Sequence, residues 1–356
     1  MPVDPGLLQV ATVLLSVFAG VAGLVFVVLL ALRLGVMTID RRTDRRRAAD
    51  REVIFDLLMG EPEEAEAARA DLLGRGGRAW DHTEDLVYEM LPKLKGDSRG
   101  RLVEVLAIRG AVRRARRLSH SVSAVRRCRG AFALGVLGDV ESQSRLVELL
   151  GDRHFLVRRT AVRALGNLGD PGGAAPLLEL IGDEPRLSRD LTYALHRIGP
   201  GAGPLLRAEV ASGLEHPEDR HLHADLAATV LGLLGDVAAG SVLTRGVSSP
   251  RLGFGLACAE ALGRIGSPDA IPSLTATLDD PRPPIRVAAA QALGLLGSDA
   301  AVARLLEVVE EDDPGVSRQA ADALRALGPA GVEVLRGSLS SYAVEAVALA
   351  DLKASR

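Results

Sequence analysis

The stretch Ala133-Leu134-Gly135-Val136-Leu137-Gly138 recurs along this chain and decides its fold. The pattern Ala-Leu-x-x-Leu/Ile-Gly returns, with Val in place of Ala in one copy, at intervals of 31, 30, 36, 31, 31 and 31 residues. Its copies end at Gly138, Gly169, Gly199, Gly235, Gly266, Gly297 and Gly328. Self-similarity at a nearly fixed interval of this size is typical of a solenoid, in which each repeat is one unit that packs on its neighbours.

Each part of the repeated unit has a physical role. The terminal Gly supplies the left-handed residue that ends an α-helix. Proline follows within two residues in four copies, where a new helix begins and its missing N–H has no partner to lose. An apolar run, an acidic turn and a second amphipathic helix complete the unit. Because two short helices cannot bury their apolar faces alone, neighbouring pairs must stack to form a core.

These units resemble HEAT repeats, particularly the short bacterial HEAT-like units that also occur in phycobilisome lyase-type proteins. The resemblance covers residues 122–339 well and residues 50–121 loosely. It implies an all-α fold: an α-solenoid of stacked helix pairs over 122–339, degenerate N-terminal helical repeats or a cap over 50–121, and a C-terminal cap over 340–356. The longer 36-residue interval predicts an insertion at residues 212–219, in a loop between helices.

The N-terminal segment predicts a membrane anchor. Residues 7–32 contain no charged side chain, and a bilayer core needs about 20 apolar residues of helix. Six arginines follow this run: Arg33, Arg41, Arg42, Arg45, Arg46 and Arg47. We therefore expect a transmembrane helix within residues 1–35, because a signal peptide would have a basic start and a shorter apolar run. Residues 36–49 would then form a basic juxtamembrane linker whose last five arginines contact anionic lipid.

The distribution of Lys and Arg predicts the orientation of that anchor. No basic residue precedes the apolar run, so we expect the N-terminus outside and the solenoid in the cytoplasm. This makes the chain a single-pass protein of the cytoplasmic membrane. The only cysteines, Cys128 and Cys258, are far apart, which agrees with a reducing compartment.

Composition and motifs give no reaction. The formal net charge is −3, the pI is about 6.2 and aromatic residues make up 3%, which disfavours a general nucleic-acid binder. No phosphate-binding glycine loop, nucleophile motif or zinc-protease motif occurs. His216, His221 and His223 lie near acidic residues but do not have the spacing of converging metal ligands. We expect no enzyme activity, no cofactor and no metal.

The most unusual segment is residues 109–129, which contain His120, eight arginines and no acidic residue. One interpretation is a solvated helix face in an Arg-rich chain. The other is a patch that binds anionic lipid headgroups or an acidic segment of a partner. Arg116-Arg117-Leu118-Ser119 also matches a short basophilic kinase site. The candidate binding residues are Arg113, Arg114, Arg116, Arg117, Arg126, Arg127 and Arg129.

A second set of arginines recurs near the start of the second helix, after the acidic turn: Arg158, Arg189, Arg286 and Arg318. In HEAT families such positions form an Asp–Arg ladder between repeats, so the resemblance implies a structural role. A row of ligand-binding arginines on the concave face is the alternative.

The leading hypothesis for function is a membrane-anchored cytoplasmic HEAT-repeat scaffold that binds a protein partner and has no catalysis of its own. Two alternatives belong to other classes. One is a bilin lyase-like enzyme, which rests on the repeats alone. The other is a HEAT-like nucleic-acid-binding protein, which would need a basic surface along the whole solenoid and more aromatic side chains.

Overall fold

The computed structural model describes Arg33 and residues 47–180, 185–218, 223–311 and 313–354. The chain divides between Ala111 and Val112 into two compact units. Throughout the described ranges the regular secondary structure is helical, with α-helices joined by short 3-10 turns and bends. The prediction of an all-α fold is confirmed.

The described part of the first unit contains four helices: α1 at 47–59, α2 at Pro62–Gly74, α3 at Gly77–Met90 and α4 at Gly96–Ile108. Its core includes Leu72, Leu91 and Leu102, which are fully buried. Arg109 donates to the carbonyl oxygens of Leu72, Leu73 and Arg75 at 3.2, 2.7 and 2.6 Å. Its guanidinium also lies 3.9 Å from the centre of the Trp80 ring. Arg109 therefore satisfies carbonyls at the end of α2, and its role is structural.

The second unit alternates shorter helices of 6–10 residues with longer ones of 11–14 residues, except that Gly203–Glu215, at a short-helix position, has 13 residues. The shorter helices are α5 (Ala111–Ser119), α7 (Gln143–Glu148), α9 (Ala174–Glu179), α11 (Gly203–Glu215), α13 (Gly240–Gly246), α15 (Ile271–Thr277), α17 (Val302–Glu311) and α19 (Pro329–Arg336). The longer helices are α6 (Ala124–Leu137), α8 (Phe155–Leu168), α10 (Ser188–Ile198), α12 (Ala224–Leu234), α14 (Leu252–Ile265), α16 (Pro283–Leu296), α18 (Pro314–Ala326) and α20 (Ser341–Ala354). Each long helix packs on the next, which confirms the predicted solenoid of helix pairs.

The repeated phrase builds the contact between successive long helices. Its Leu is buried to within 1% exposure in every copy, from Leu134 to Leu324. The Gly after it lies against the Ala of the same phrase in the next helix, and a Cβ on that Gly would come within 2.5–2.9 Å of the neighbouring Ala Cα. The pairs are Gly135–Ala164, Gly166–Ala194, Gly232–Ala261, Gly263–Ala292 and Gly294–Ala323. The interior Gly is therefore required because two backbones meet there, a role distinct from helix termination.

The terminal glycines end the long helices in two ways. Five of them have φ of 66–74° in the left-handed region, as predicted. Gly199 and Gly328 instead combine φ of 82° with ψ of −155° and −152°. Proline follows both directly, and its ring disfavours a helical ψ in the residue before it.

The glycine–alanine contact is missing at two junctions. Between α18 and α20, Arg325 stands at the Gly position. Between α10 and α12, His196 and Val230 stand at the Gly and Ala positions, and these two helices touch less than the other neighbours. The helix between them, α11, has 13 residues, whereas α7, α9, α13 and α15 have six or seven. The predicted loop insertion at 212–219 is therefore wrong for residues 212–215, which extend α11 instead.

The described helices include no membrane span: none is long and apolar enough to cross a bilayer. The longest with defined ends have 14 residues, such as Phe155–Leu168. That length gives about 21 Å, short of the roughly 30 Å of a hydrocarbon core. On this finding the predicted localisation, single-pass in the cytoplasmic membrane with the N-terminus outside and a cytoplasmic solenoid, is wrong. Residues 7–32, on which the predicted transmembrane helix rested, lie outside the described residues.

The glycine–alanine contact predicts different effects on stability for two Gly→Ala changes in long helices. At Gly166 the new methyl would meet the Ala194 backbone at 2.5 Å, so we expect a loss of about 1–3 kcal/mol of unfolding free energy. At Gly253, in the first turn of α14, the nearest atom to a new methyl is 4.0 Å away, so G253A should be neutral or stabilising by up to about 1 kcal/mol. Chemical denaturation of both variants checks this. Equal midpoints would contradict the packing role of Gly166.

Candidate functional site

The arginine-rich hairpin, which we define as residues 111–137 (α5, the turn at 120–123, and α6), is held by a close backbone contact. A Cβ on Gly130 of α6 would come 2.8 Å from the carbonyl oxygen of Ala115 and 2.9 Å from the carbonyl carbon of Leu118. Gly130 therefore lets the two helices touch. The hairpin carries seven arginines and no acidic residue of its own.

Arg127 links the hairpin to the next repeat. Its guanidinium donates to both carboxylate oxygens of Asp152, at 2.7 and 2.9 Å, and the two side chains are 9% and 8% exposed. It also donates to the carbonyls of Ser121 and Val122, at 3.0 and 2.8 Å. The hydrogen bonds and charge of Arg127 lower the pKa of the Asp152 carboxyl below its ordinary value, despite partial burial. Arg127 thus fixes the turn at 120–123 and ties the hairpin to the next repeat.

Arg116 does the same for α5. It donates to both carboxylate oxygens of Asp139, at 2.8 and 2.7 Å, and to Glu141 at 2.8 Å and the Ser142 hydroxyl at 3.1 Å. These hydrogen bonds raise the pKa of Arg116 and lower that of Asp139. Arg145 of α7 adds a 2.6 Å bond to the Ser119 carbonyl oxygen. Both sides of the hairpin are therefore fixed by charge-assisted hydrogen bonds.

Three of the predicted binding residues share one surface cleft. We call it the basic cleft; it is an open depression of about 470 Å³ lined by Arg114, Arg117, Leu118, Ser121 and Arg126. No acidic residue lines it. Arg117 and Arg126 are exposed and make no ion pair within the described residues. The cleft therefore presents the guanidinium groups of Arg117 and Arg126 to solvent.

The other predicted binding residues have different environments. Arg116 and Arg127 have the structural roles described above, and the expectation that all seven arginines form one binding patch is not met. Arg113 and Arg129 are exposed but do not line the cleft. Ser121 and Leu118 were missed from the sequence, because neither residue type signals an anion site alone. Ser119, within the short kinase-site match, is fully buried and donates its hydroxyl to the Arg116 carbonyl at 2.7 Å, which leaves it inaccessible to a kinase.

Ser121 stands at the repeat position that Asp152 and Asp280 hold in later copies. In all three the side-chain oxygen accepts the backbone N–H two residues on, at 3.3, 2.9 and 2.9 Å. The carbonyl of each residue also accepts from the arginine six residues on, at 3.0, 2.8 and 2.8 Å. Asp152 and Asp280 bring a carboxylate to this turn and Ser121 does not. This difference leaves the turn beside the basic cleft without an anion.

A cleft in the first unit is also lined by charged side chains, but these have partners within the protein. Its volume is about 420 Å³ and its lining includes Glu66, Arg69, Arg101 and Glu104. Arg69 pairs with Glu66 at 3.3 Å and with Glu104 at 2.8 Å, and Arg101 donates to the Leu57 carbonyl at 3.0 Å. The charged groups of this cleft bind one another or a backbone carbonyl, so they offer less to an external anion.

The second arginine set has mixed roles. Arg158 and Arg286 donate to the turn carbonyls of Asp152 and Asp280, which agrees with the structural role implied by the HEAT resemblance. Arg318 lies 3.8 Å from Glu345 and over the ring of Tyr342, although its side chain is largely exposed. Arg189 is exposed on α10.

Other predicted sites receive little support from geometry. Among the described residues no group of three or more His, Cys, Asp or Glu could hold a metal ion. His216 is exposed, the N–H of His223 donates to Glu209 at 2.8 Å, and His221 lies outside the described residues. Of the predicted lipid-contacting arginines, Arg47 is exposed at the start of the described part of α1. The others, Arg41, Arg42, Arg45 and Arg46, lie outside the described residues.

The chain belongs to the HEAT-repeat proteins. The family model "HEAT repeats" matches residues 114–195, 208–287 and 274–351, which is more than half of the chain. These matches begin inside α5 and include the arginine-rich hairpin from Arg114 onward. No curated protein matches the chain.

Solved structures with similar architecture include three of different description. Human deoxyhypusine hydroxylase in complex with glycerol is 20% identical, with 82% of this chain and 98% of that chain covered and a TM-score of 0.30. The complex of CpcE and CpcF of phycocyanin lyase from Nostoc sp. PCC7120 is 24% identical, with 67% and 93% covered and a TM-score of 0.28. Importin beta is 12% identical, with 79% and 46% covered and a TM-score of 0.47. At these identities and TM-scores the likenesses carry no argument about function.

The Arg127–Asp152 pair predicts a pH-dependent contribution to stability. Because the pKa of Asp152 is lowered from 3.8, the stabilisation is complete above that pH and is lost as the pH falls through the lowered pKa. We expect D152N to lower the thermal midpoint by about 5 °C or more at neutral pH, because Arg127 loses its counter-ion. The difference from the parent should shrink below about pH 4.

Thermal unfolding by circular dichroism across this pH range checks the prediction. E148Q is the matched control, because its partner pair with Arg145 lies at the surface, where Glu148 is 64% exposed, and it should change the midpoint little. A D152N deficit that stays constant through the acid range would contradict the assignment.

Proposed function

We propose that this HEAT-repeat protein is an adaptor that binds an acidic segment of a partner protein at the basic cleft and has no catalysis of its own. The observation that carries the proposal is the gathering of Arg114, Arg117 and Arg126 around one cleft that no acidic residue lines. A carboxylate that enters the cleft can accept charge-assisted hydrogen bonds from guanidinium groups.

The rest of the unit supports a binding role for this hairpin. Arg116 and Arg127 hold its two helices and its turn against the next repeat, so the cleft exists before a partner arrives. A pre-formed site avoids part of the entropy that ordering would cost on binding. A stack of repeats also gives a partner an extended surface beyond the cleft.

A protein partner is favoured over a nucleic acid by the residues at the cleft. Single-stranded nucleic acids bind where aromatic side chains stack on the bases and a basic groove follows the backbone. No aromatic residue lines the basic cleft, and the net charge of the whole chain is −3. A local basic surface on an acidic chain suits a partner with a local acidic segment.

The test is binding of a fluorescein-labelled oligoglutamate peptide, followed by fluorescence anisotropy. We expect the parent to bind and R117E/R126E to lose about tenfold or more in affinity, because two attractive charges become repulsive. Affinity should also fall with added salt, since the groups are exposed. The matched control is R245E/K353E, which makes the same change in net charge at exposed positions outside the cleft.

Two results would overturn the proposal. One is equal affinity of the cleft variant and the control variant for oligoglutamate. The other is tighter, cleft-dependent binding of a single-stranded oligothymidylate of similar charge, which would favour the nucleic-acid alternative.

A further inference from the structure

We infer that one face of helices α8 and α10 is a second binding site, which takes an aromatic side chain flanked by carboxylates on a partner protein. This site goes beyond the basic cleft and shares no residue with it. We call it the α8–α10 face; it consists of Arg159, Arg163, Arg189, Asp190, Tyr193 and Arg197.

Two arginines of α8 share one buried carboxylate of α10. The Asp190 side chain is 9% exposed, and each of its oxygens accepts one Nε–H bond, from Arg159 at 2.9 Å and from Arg163 at 2.5 Å. Both arginine side chains are about half exposed, and neither makes another hydrogen bond or ion pair within the described residues. The two terminal nitrogens of each guanidinium therefore remain as a fork that can donate to a carboxylate of a ligand.

Asp190 is the only carboxylate at its position in the repeat. It lies nine residues before Gly199, and the residues nine before the other terminal glycines are Arg129, Thr160, Leu226, Ala257, Ala288 and Gln319. Successive long helices therefore pack on one another without an acid at this position. A buried carboxylate has a desolvation cost even when it is paired, and apolar side chains often stabilise a core as well or better. The role of Asp190 is thus to position two guanidinium groups at the surface.

Tyr193 places an aromatic ring beside these arginines. It follows Asp190 by one helical turn and is 50% exposed. Arg189 and Arg197 lie four residues before and after Tyr193, so they share its side of α10. Both are exposed, and neither makes an ion pair in the part of the chain that the structure describes. Tyr and Arg are among the residue types that most often carry the binding energy of protein interfaces.

These groups define the chemistry of the ligand. Helix α8 contains no acidic residue and Asp190 is the only one in α10, so four arginines of the face stand against one carboxylate. The surplus of positive charge favours carboxylates, and the ring of Tyr193 offers a flat apolar contact to another aromatic ring. Single-stranded nucleic acid is favoured less, because successive bases need successive aromatic rings for stacking. A protein segment with an aromatic residue between acidic residues therefore fits the face best.

The experiment compares two fluorescein-labelled peptides, Glu-Glu-Trp-Glu-Glu and Glu-Glu-Ala-Glu-Glu, by fluorescence anisotropy. The full chain carries R117E/R126E throughout, so that the basic cleft does not contribute. We expect this protein to bind the Trp peptide about fivefold or more tightly than the Ala peptide, and added Y193A to remove the preference. Added R189E/R197E should weaken the Trp peptide about tenfold or more. Its matched control is R245E/K353E, which makes the same change in net charge at exposed positions elsewhere.

The variant D190N separates positioning from net charge. It makes the protein more positive by one unit, so a purely electrostatic attraction of the acidic peptides would increase. If Asp190 positions Arg159 and Arg163, affinity for the Trp peptide should instead fall about tenfold, because the two forks lose their common anchor. Circular dichroism shows that the variant remains folded. Y193A and R189E/R197E test the same face at exposed positions if D190N unfolds.

Three results would overturn the inference. The first is equal affinity for the Trp and Ala peptides. The second is a folded D190N variant that binds the Trp peptide at least as tightly as the protein with Asp190. The third is tighter, Tyr193-dependent binding of a single-stranded oligothymidylate, which would assign the face to nucleic acid. The test of the basic cleft uses oligoglutamate with Arg117 and Arg126 intact or reversed, so the two proposals fail separately.

Discussion

The approach of one long helix to the next, at a Gly on one side and an Ala on the other, is the contact on which the second unit depends. A Cβ at Gly166 would lie only 2.5 Å from the Ala194 Cα, so the helices would have to move apart and the Leu residues of the phrase could no longer fill the space between them. Tight packing of this kind tolerates extra volume poorly. Where the pair changes to His196 and Val230, the helices touch less, and α11 has 13 residues where α7, α9, α13 and α15 have six or seven. The exception shows how strongly the regular repeats rely on the small residues.

Arginine has two separate uses in this protein, and the acceptors that the guanidinium groups bind distinguish them. Arg109, Arg116 and Arg127 each bind several acceptors at once: Arg109 and Arg127 bind backbone carbonyls, and Arg116 binds the side chains of Asp139, Glu141 and Ser142. One guanidinium with five donors can satisfy a helix end or a turn and pair with a carboxylate at the same time. Arg117 and Arg126 lie on the same hairpin but face solvent at the basic cleft. The structural arginines hold the surface on which the exposed arginines stand.

The turn of the arginine-rich hairpin differs in charge from the turns at Asp152 and Asp280 while keeping their backbone contacts. Ser121 receives the same backbone hydrogen bond from Arg127 that Asp152 and Asp280 receive from Arg158 and Arg286, but it contributes no carboxylate. A repeat fold permits such a change because each unit is stabilised mainly by its neighbours, so a surface position at one turn can vary without loss of the stack. Binding specificity can therefore develop at one repeat of an otherwise regular solenoid.

The sequence by itself determined the all-α class, the repeat interval and the terminal glycines, because helix ends and apolar periodicity are local properties. The near-constant spacing from Gly138 to Gly328 was enough to predict the stacked helix pairs. Tertiary structure decided why the interior glycines are needed, since their constraint comes from an alanine in another helix about 30 residues away. It also decided which arginines are exposed at the basic cleft. Arg116 and Arg117 are neighbours in sequence, yet one faces Asp139 of the next turn and the other faces solvent, because successive residues on a helix point in directions about 100° apart. The local sequence pattern does not show which of these two neighbouring arginines faces solvent.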